Sequence, residues 1–204
     1  MNKKEYFMKI LNKLEKKYGN NIKRLASDGW GADWKVLIVT IMSAQSRDEM
    51  TIIIANNLFK KYSSLSKLAN ARKESVLKIF KSLNYNRTKA KHVVEAAKYI
   101  KKKFNGRVPE NIEDLVEIPG VGRKTANLVL TEVHGKDAIC VDTHVHRISN
   151  VLGLVKTKSP EKTEIELMKI VPKKYWYKVN RLFVLWGKDV SGRDKKKLLK
   201  RLNC

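Results

Sequence analysis

The 204-residue chain carries 44 lysines and arginines against 20 aspartates and glutamates, which gives a net charge of +24. A hydrophobic content of 43% argues against a disordered chain, and no apolar run approaches the roughly 18 residues that a membrane-spanning helix needs. Because a surplus of like charge costs stability, we expect a polyanion to use it, with nucleic acid favoured over an acidic membrane surface. A lysine-rich proteome from a hot environment explains the imbalance poorly, since glutamate is not raised to match.

Cysteine usage and the N-terminus both indicate an intracellular, cytoplasmic protein. Cys140 and Cys204 are the only cysteines, so the chain has neither a disulfide framework nor the local spacing of a metal site. Residues 1–17 are charged and amphipathic, unlike a signal peptide.

Helical periodicity runs through nearly the whole chain and predicts an all-α fold. A first helix is predicted over 7–18 and a buried one over 34–42, and Asp48 is predicted to cap the next helix. Further helices are predicted over 72–82, 87–104, 111–118, 123–134, 142–153, 161–171, 175–189 and 193–202. The best strand-like run, 138–141, is too short to form a sheet.

Residues 115–126 are the most informative stretch and predict a helix, a tight turn and a second helix. Pro119 ends the first helix, and Gly120 and Gly122 permit positive φ angles and leave the backbone bare. Exposed N–H groups would then lie at the positive start of the next helix, where a phosphate binds without any side chain. Such a hairpin holds the DNA backbone regardless of base sequence, whereas the alternative is an ordinary turn.

Lys124 falls in the first turn of that second helix. A lysine nucleophile must be neutral, and the helix start, the neighbouring Arg123 and partial burial would all disfavour the charged form. From spacing alone, a nucleophile and one more phosphate-contacting lysine are equally good interpretations.

Asp142 precedes a helical pattern and is predicted to be its N-cap. Capping alone is enough to explain this residue, although a capping carboxylate is also able to face a cleft and act in catalysis. His144 and His146 are two positions apart on the predicted helix and point in different directions, so we expect no metal site there.

Together, residues 118–127 and 141–147 closely resemble the signature of the endonuclease III family of helix-hairpin-helix DNA glycosylases. Residues 42–48 look like the Leu-Ser-Ala-Gln segment of that family, and residues 84–90 look like its lesion-wedge loop. The resemblance follows the family's order over residues 5–190.

The resemblance implies two α-helical lobes with a DNA cleft between them. The first is a helical barrel lobe over 25–135 that carries the hairpin, and the second combines 1–24 with 136–204. The implied partner is double-stranded DNA with a damaged base or an abasic site, bound by a monomer.

The family's mechanism carries over to two residues. The resemblance implies that Lys124 attacks the sugar C1′ of an extruded nucleotide, forms a Schiff base and nicks the strand by β-elimination. Asp142 would stabilise positive charge on the sugar and help with proton transfer. Gln45 and Tyr85 would fill the hole in the duplex, although without the resemblance they are interpreted as a polar helix-end residue and a half-buried aromatic. The other expected DNA contacts are Gly120, Gly122, Arg123, Thr125 and Arg147.

The C-terminal region departs from the family. Many relatives end in four cysteines that hold an iron–sulfur cluster, but here the first three ligand positions fall near Ser191, Leu198 and Arg201 and the chain stops before the fourth. We therefore expect no iron–sulfur cluster and no other cofactor. A monovalent cation at the hairpin carbonyls, as found in this superfamily, stays open, and so does a phosphate contact by the basic segment 193–201.

The leading hypothesis is a bifunctional glycosylase and abasic-site lyase, with oxidised pyrimidines as the substrate that the resemblance suggests. Lys124 argues against a monofunctional mismatch or adenine glycosylase, because such relatives usually have tyrosine or serine at this position. Relatives that excise 8-oxoguanine also use a hairpin lysine, so purine lesions stay open. A third hypothesis, a non-catalytic DNA-binding module, has no need for both Lys124 and Asp142.

Overall fold

A computed structural model of the chain describes residues 1–20 and 25–203. These residues form twelve α-helices and one 3₁₀ turn, and no β-strand occurs among them. The all-α fold predicted from the sequence is confirmed. The chain divides into two compact units, Lys23–Gly135 and the combination of Met1–Ile22 with Lys136–Cys204.

The unit Lys23–Gly135 is built around α2, an almost wholly apolar helix in which every residue from Leu37 to Met42 is buried. Helices α6 and α8 both pack against α2, while α4 and α5 pack against α6, and α7 packs against α8. This arrangement fixes the start of α8, which follows the predicted hairpin. The helices of this unit are α2 (Asp33–Ser43), α3 (Asp48–Lys61), α4 (Leu65–Ala69), α5 (Lys73–Ile79), α6 (Asn86–Lys103), α7 (Ile112–Glu117) and α8 (Arg123–Glu132).

The other unit is organised by an amphipathic helix, α11, which packs against α1 and α9. The rings of Phe7 and Phe183 stack with their centroids 6.0 Å apart, and Trp186 meets Phe183 edge-on. Aromatic stacking of this kind joins the N-terminal helix to the C-terminal part of the chain. The helices are α1 (Lys3–Tyr18), α9 (Thr143–Val151), α10 (Pro160–Ile170), α11 (Trp176–Asp189) and α12 (Lys195–Arg201), with the 3₁₀ turn at Lys173–Tyr175.

Two local features differ from the sequence prediction or add to it, and a third agrees with it. Asp48 is the first residue of α3, and the N-cap of that helix is Arg47. Oδ1 of Asp48 accepts a hydrogen bond from the backbone N–H of Ala26. The short helix α4 was not predicted, since five residues are too few to show a period. Residues 138–141 are buried and irregular, as expected for a run too short to form a sheet.

None of the described helices is long and apolar enough to cross a membrane.

Candidate functional site

The segment between α7 and α8 forms the predicted hairpin. The backbone N–H of Val121 donates to the carbonyl of Ile118 at 3.0 Å and closes a tight turn around Gly120, whose φ is +83°. A Cβ added at Gly120 would lie 2.8 Å from Cβ of His92, a residue of α6. Glycine is therefore required at this position for two independent reasons, the backbone angle and the close approach of His92.

Gly122 plays a different part from the one predicted for it. Its φ of −96° and ψ of 176° are ordinary extended values, so Gly122 does not use the positive φ that glycine permits. Gly122 is instead the N-cap of α8, and a Cβ added there would meet no described atom within 4 Å. The open space above this glycine leaves room for a phosphate to approach the backbone.

The start of α8 combines an exposed backbone with basic side chains. The first intrahelical hydrogen bond runs from the N–H of Ala126 to the carbonyl of Gly122 at 2.9 Å, so the N–H groups before Ala126 precede the helical ladder. Thr125 is half-buried, whereas Arg123 and Lys124 are exposed. This helix start, with its positive dipole and two basic residues, is suited to an anion.

Asp142 is the N-cap of α9, as predicted. Its Oδ1 accepts hydrogen bonds from the backbone N–H groups of His144 and Val145, both at 2.9 Å. The second oxygen, Oδ2, accepts no hydrogen bond from the part of the chain that the structure describes. The half-buried carboxylate thus caps the helix through one of its two oxygens.

Arg147, one turn further along α9, is engaged within its own unit. Its guanidinium donates to the carbonyls of Gly187 and Val190, at 3.2 Å each, and to the carbonyl of Gly192. Burial lowers the pKa of Arg147, and the negative charge of Asp142 opposes that shift. These contacts hold the chain between α11 and α12, so a direct DNA contact by Arg147 stays a prediction.

Gln45 and Tyr85 are brought together in the unit Lys23–Gly135. Gln45 follows the end of α2, and Tyr85 is the N-cap of α6. Both side chains are exposed, Tyr85 to 65%, so its interpretation as a half-buried aromatic was wrong. Both backbones are left-handed, with φ of +54°, and the side chain of Asn84 donates to the carbonyl of Gln45 at 2.8 Å.

Asn84 and Lys89 are residues that the sequence reasoning missed. Lys89 lies in α6 with only 4% of its surface exposed, and its Nζ donates to the hydroxyl of Ser46 at 2.7 Å. A signal for its burial was present, because Lys89 is four residues before Val93 and shares the apolar face of the helix. Burial lowers the pKa of Lys89 to about 8.

Metal ligands are not clustered in the described residues, where no group of three or more His, Cys, Asp or Glu side chains is placed to hold an ion. His146 pairs through Nδ1 with the hydroxyl of Thr163 at 2.7 Å. At the positions where relatives carry cluster cysteines, Leu198 is fully buried and Arg201 is ion-paired with Asp189. These side chains offer no thiolate and do not fit an iron–sulfur cluster. Cys204 lies outside the described residues.

Comparisons with known proteins agree with this geometry. The family model for the HhH-GPD superfamily base excision DNA repair protein matches residues 38–173. Endonuclease III of Thermotoga maritima is 43% identical over 157 residues, which cover 77% of this chain and 74% of the relative. Endonuclease III of Buchnera aphidicola subsp. Schizaphis graminum is 36% identical over 190 residues, 93% of this chain and 89% of the relative.

The fold is also similar to a solved structure of endonuclease III bound to DNA. That structure is described as a trapped endonuclease III–DNA covalent intermediate in an estranged-adenine complex. The TM-score is 0.86 at 30% sequence identity, and the match covers 94% of this chain and 89% of the other.

Proposed function

The chain belongs to the endonuclease III family within the HhH-GPD superfamily of base excision DNA repair proteins, and from this premise we propose how it acts. It is a DNA glycosylase with abasic-site lyase activity, and its partner is DNA that contains a damaged base. The observation that carries this function is the likeness, over 94% of the chain, to an endonuclease III trapped in a covalent intermediate with DNA.

We propose that Lys124 is the nucleophile. Its neutral amine attacks C1′ of a nucleotide rotated out of the duplex, and the base leaves with the electron pair of the glycosidic bond and with a proton that the amine nitrogen gives up as the C1′–N bond forms. The sugar ring opens to a Schiff base, C2′ loses a proton, and the bond between C3′ and its phosphate oxygen breaks. The exposure of Lys124 supports this role, because a buried amine would be out of reach of an extruded nucleotide.

We propose that Asp142 is the acid that works with Lys124. Its negative charge stabilises the cationic sugar as the base leaves, and the carboxylate passes protons during the later steps. The division of labour between its two oxygens supports this role. Oδ1 is held by two backbone N–H groups, which fix the carboxylate, and Oδ2 accepts nothing from the described residues.

The proposed DNA contacts follow from the helix start and the two left-handed turns. The backbone of Gly120 and Gly122 binds a phosphate, and Arg123 and Thr125 stand at the same helix end. Gln45 and Tyr85 enter the space that the extruded nucleotide leaves. Oxidised pyrimidines are the proposed lesions, and a panel of oxidised pyrimidine and purine duplexes tests that choice.

We further propose that the two compact units are the two lobes of the family, that the protein works as an intracellular monomer, and that it has no iron–sulfur cluster. The absence of a cluster is supported by Ser191, Leu198 and Arg201 at the first three ligand positions. Iron and sulfide analysis of protein purified without oxygen tests it, and stoichiometric iron would contradict it.

Borohydride trapping on a duplex with one abasic site tests the proposed chemistry. The wild type is compared with Lys124→Ala and with Lys102→Ala, which removes an exposed lysine at the far end of α6. We expect a covalent adduct from the wild type and Lys102→Ala and none from Lys124→Ala. An adduct from Lys124→Ala would assign the nucleophile to another amine, and no adduct from the wild type would favour a monofunctional glycosylase or a binding module.

A further inference from the structure

Two of the described residues, Gln45 and Tyr85, adopt a left-handed backbone that their side chains disfavour. In the described ranges, the non-glycine residues with positive φ are Gln45, Tyr85, Asn105 and Asn203. Asparagine tolerates this region, whereas glutamine and tyrosine pay about 1 kcal/mol or more for it. The two strained residues are therefore the two exposed side chains that are proposed to enter the duplex, and something in the fold must hold them.

The first tie between these two turns is the side chain of Asn84. Its Nδ2 donates to the carbonyl oxygen of Gln45 at 2.8 Å, across 39 positions of the chain. The bond is made by the residue directly before Tyr85 to the strained residue itself. Asn84 thus connects the two left-handed positions through one hydrogen bond.

The second tie is Lys89. Its backbone N–H donates to the carbonyl of Tyr85 at 2.9 Å, and its Nζ donates to the hydroxyl of Ser46, the residue after Gln45, at 2.7 Å. Burying a lysine is costly unless it gains a partner, and a shorter apolar side chain at this point of α6 would remove that cost. The bond from Nζ to the Ser46 hydroxyl supplies a partner that offsets part of the cost of burying this lysine.

The cleft at these ties is open to solvent. A cavity of about 290 Å³ is lined by Ser46, Arg47, Met50, Ser82 and Asn84. Because Asn84 is exposed whereas Lys89 is buried and Ser46 is half-buried, water competes more for the bond from Asn84 to Gln45 than for the bond from Lys89 to Ser46. The two ties therefore differ in strength, with Lys89 as the stable one and Asn84 as the weaker one.

We infer that Asn84 and Lys89 are positioning residues, which hold the Gln45 and Tyr85 turns in the one arrangement from which both side chains enter damaged DNA. This inference rests on the proposed function and adds the residues that prepare the site. Because the two turns are already ordered in the free protein, DNA binding carries no entropic cost for ordering them. More of the binding free energy is then available to rotate the nucleotide out of the duplex. Without the ties, each strained residue relaxes and redirects its side chain.

The ties affect extrusion and not general attraction to DNA. The charge of +24 and the hairpin attract the DNA backbone whatever the state of the Gln45 turn. We therefore expect loss of a tie to leave binding to undamaged duplex unchanged and to slow the excision of a damaged base about 10–100-fold, the cost of a misplacement near 1 Å.

The test compares matched variants in fluorescence and in single-turnover excision. Asn84→Ala removes the donor, and Asn84→Asp keeps the shape but sets a carboxylate against the Gln45 carbonyl. The control is Asn57→Ala, because Asn57 is an exposed asparagine in the second half of α3, outside both turns. Lys89→Met is paired with Lys91→Met, which removes an exposed lysine from the same helix.

The fluorescent probe is 2-aminopurine, placed beside the lesion. The emission of 2-aminopurine rises when the neighbouring nucleotide leaves the base stack. We expect the rise to be small or slow in Asn84→Ala, Asn84→Asp and Lys89→Met, and unchanged in both controls. Affinity for undamaged duplex should be equal in Asn84→Ala, its control and the wild type, and equal between Lys89→Met and Lys91→Met, which each lack one lysine. Far-ultraviolet circular dichroism should be equal in all five variants and the wild type.

Variants at Asn84 and Lys89 that extrude and excise like their controls would overturn the inference, even with a fully active enzyme. A wild type that raises the fluorescence without cleaving would overturn the proposed chemistry instead. In that case the fluorescence difference between the tie variants and the controls still decides whether the ties position the turns.

Discussion

The two helix starts at Gly122 and Asp142 and the pair of turns at Gln45 and Tyr85 are built in different ways. Each helix start is made within a few consecutive residues, where a turn or a cap places backbone N–H groups. The turns depend on residues 39 and 43 positions apart in the chain, which meet through Asn84 and Lys89. A local site withstands changes elsewhere, whereas a long-range site fails when a single tie is lost.

The largest effect is expected at the second helix start. Asp142→Asn keeps a side chain that caps a helix well, so the fold should lose no more than about 1 kcal/mol of stability. The neutral amide no longer balances a cationic sugar, and base excision should fall about 10²–10³-fold, the usual cost of losing one preorganised electrostatic group. Single-turnover excision and urea unfolding measure the two quantities.

A matched cap serves as the control for this variant. Asp194 caps α12 with the same pattern, since its Oδ1 accepts from the backbone N–H groups of Lys196 and Lys197. Asp194→Asn should leave excision as it is. If Asp142→Asn retained full activity as well, Asp142 would only cap α9 and would have no catalytic role.

The next effect is expected in the hairpin, where the two glycines have unequal parts. Gly120→Ala combines a disfavoured φ with a collision against His92, and should cost about 1–3 kcal/mol of unfolding free energy. Gly122→Ala changes only a helix cap with open space above it and should cost less than about 1 kcal/mol. Both should weaken binding to undamaged duplex, because both alter the backbone that faces the phosphate.

A third glycine separates the two causes at Gly120. Gly135 also has a positive φ, +60°, but a Cβ there would meet no described atom within 4 Å. Gly135→Ala therefore measures the backbone strain alone, and the difference from Gly120→Ala measures the contact with His92. Equal losses of stability at Gly120 and Gly135 would show that His92 gives way at no cost.

The difference between sites made by neighbouring residues and turns held by distant residues also explains which features could be predicted from the sequence. Helix ends, the hairpin and the Asp142 cap depend on spacing and on residue types with strong local preferences, so they were correct within a few positions. The positive φ of Gln45 and Tyr85 has no local signal, because neither residue type favours it. The exposure of Lys124 and the occupied guanidinium of Arg147 depend on tertiary packing, which a single sequence does not reveal.

The prediction with the smallest consequence at neutral pH concerns the buried Lys89 and the pH dependence of stability. Burial lowers its pKa from 10.5 to about 8, so the folded protein disfavours the charged form. Between these two pH values the unfolded chain binds more protons at this residue than the folded protein does. The contribution of Lys89 to the free energy of unfolding therefore rises with pH from about 8 to 10.5, by at most about 1.4 kcal/mol per pH unit.

Urea unfolding of the wild type and Lys89→Met at several pH values between 7 and 11 measures this contribution, because other titrating groups cancel in the difference. The wild type should gain on Lys89→Met as the pH rises above 8, and Lys91→Met should run parallel to the wild type. A neutral amine still donates to Ser46, so the tie itself survives this titration. If the difference in unfolding free energy between the wild type and Lys89→Met did not change with pH, Lys89 would be solvated in the folded protein. The bond from Lys89 to Ser46 would then be no stronger than the exposed bond from Asn84 to Gln45.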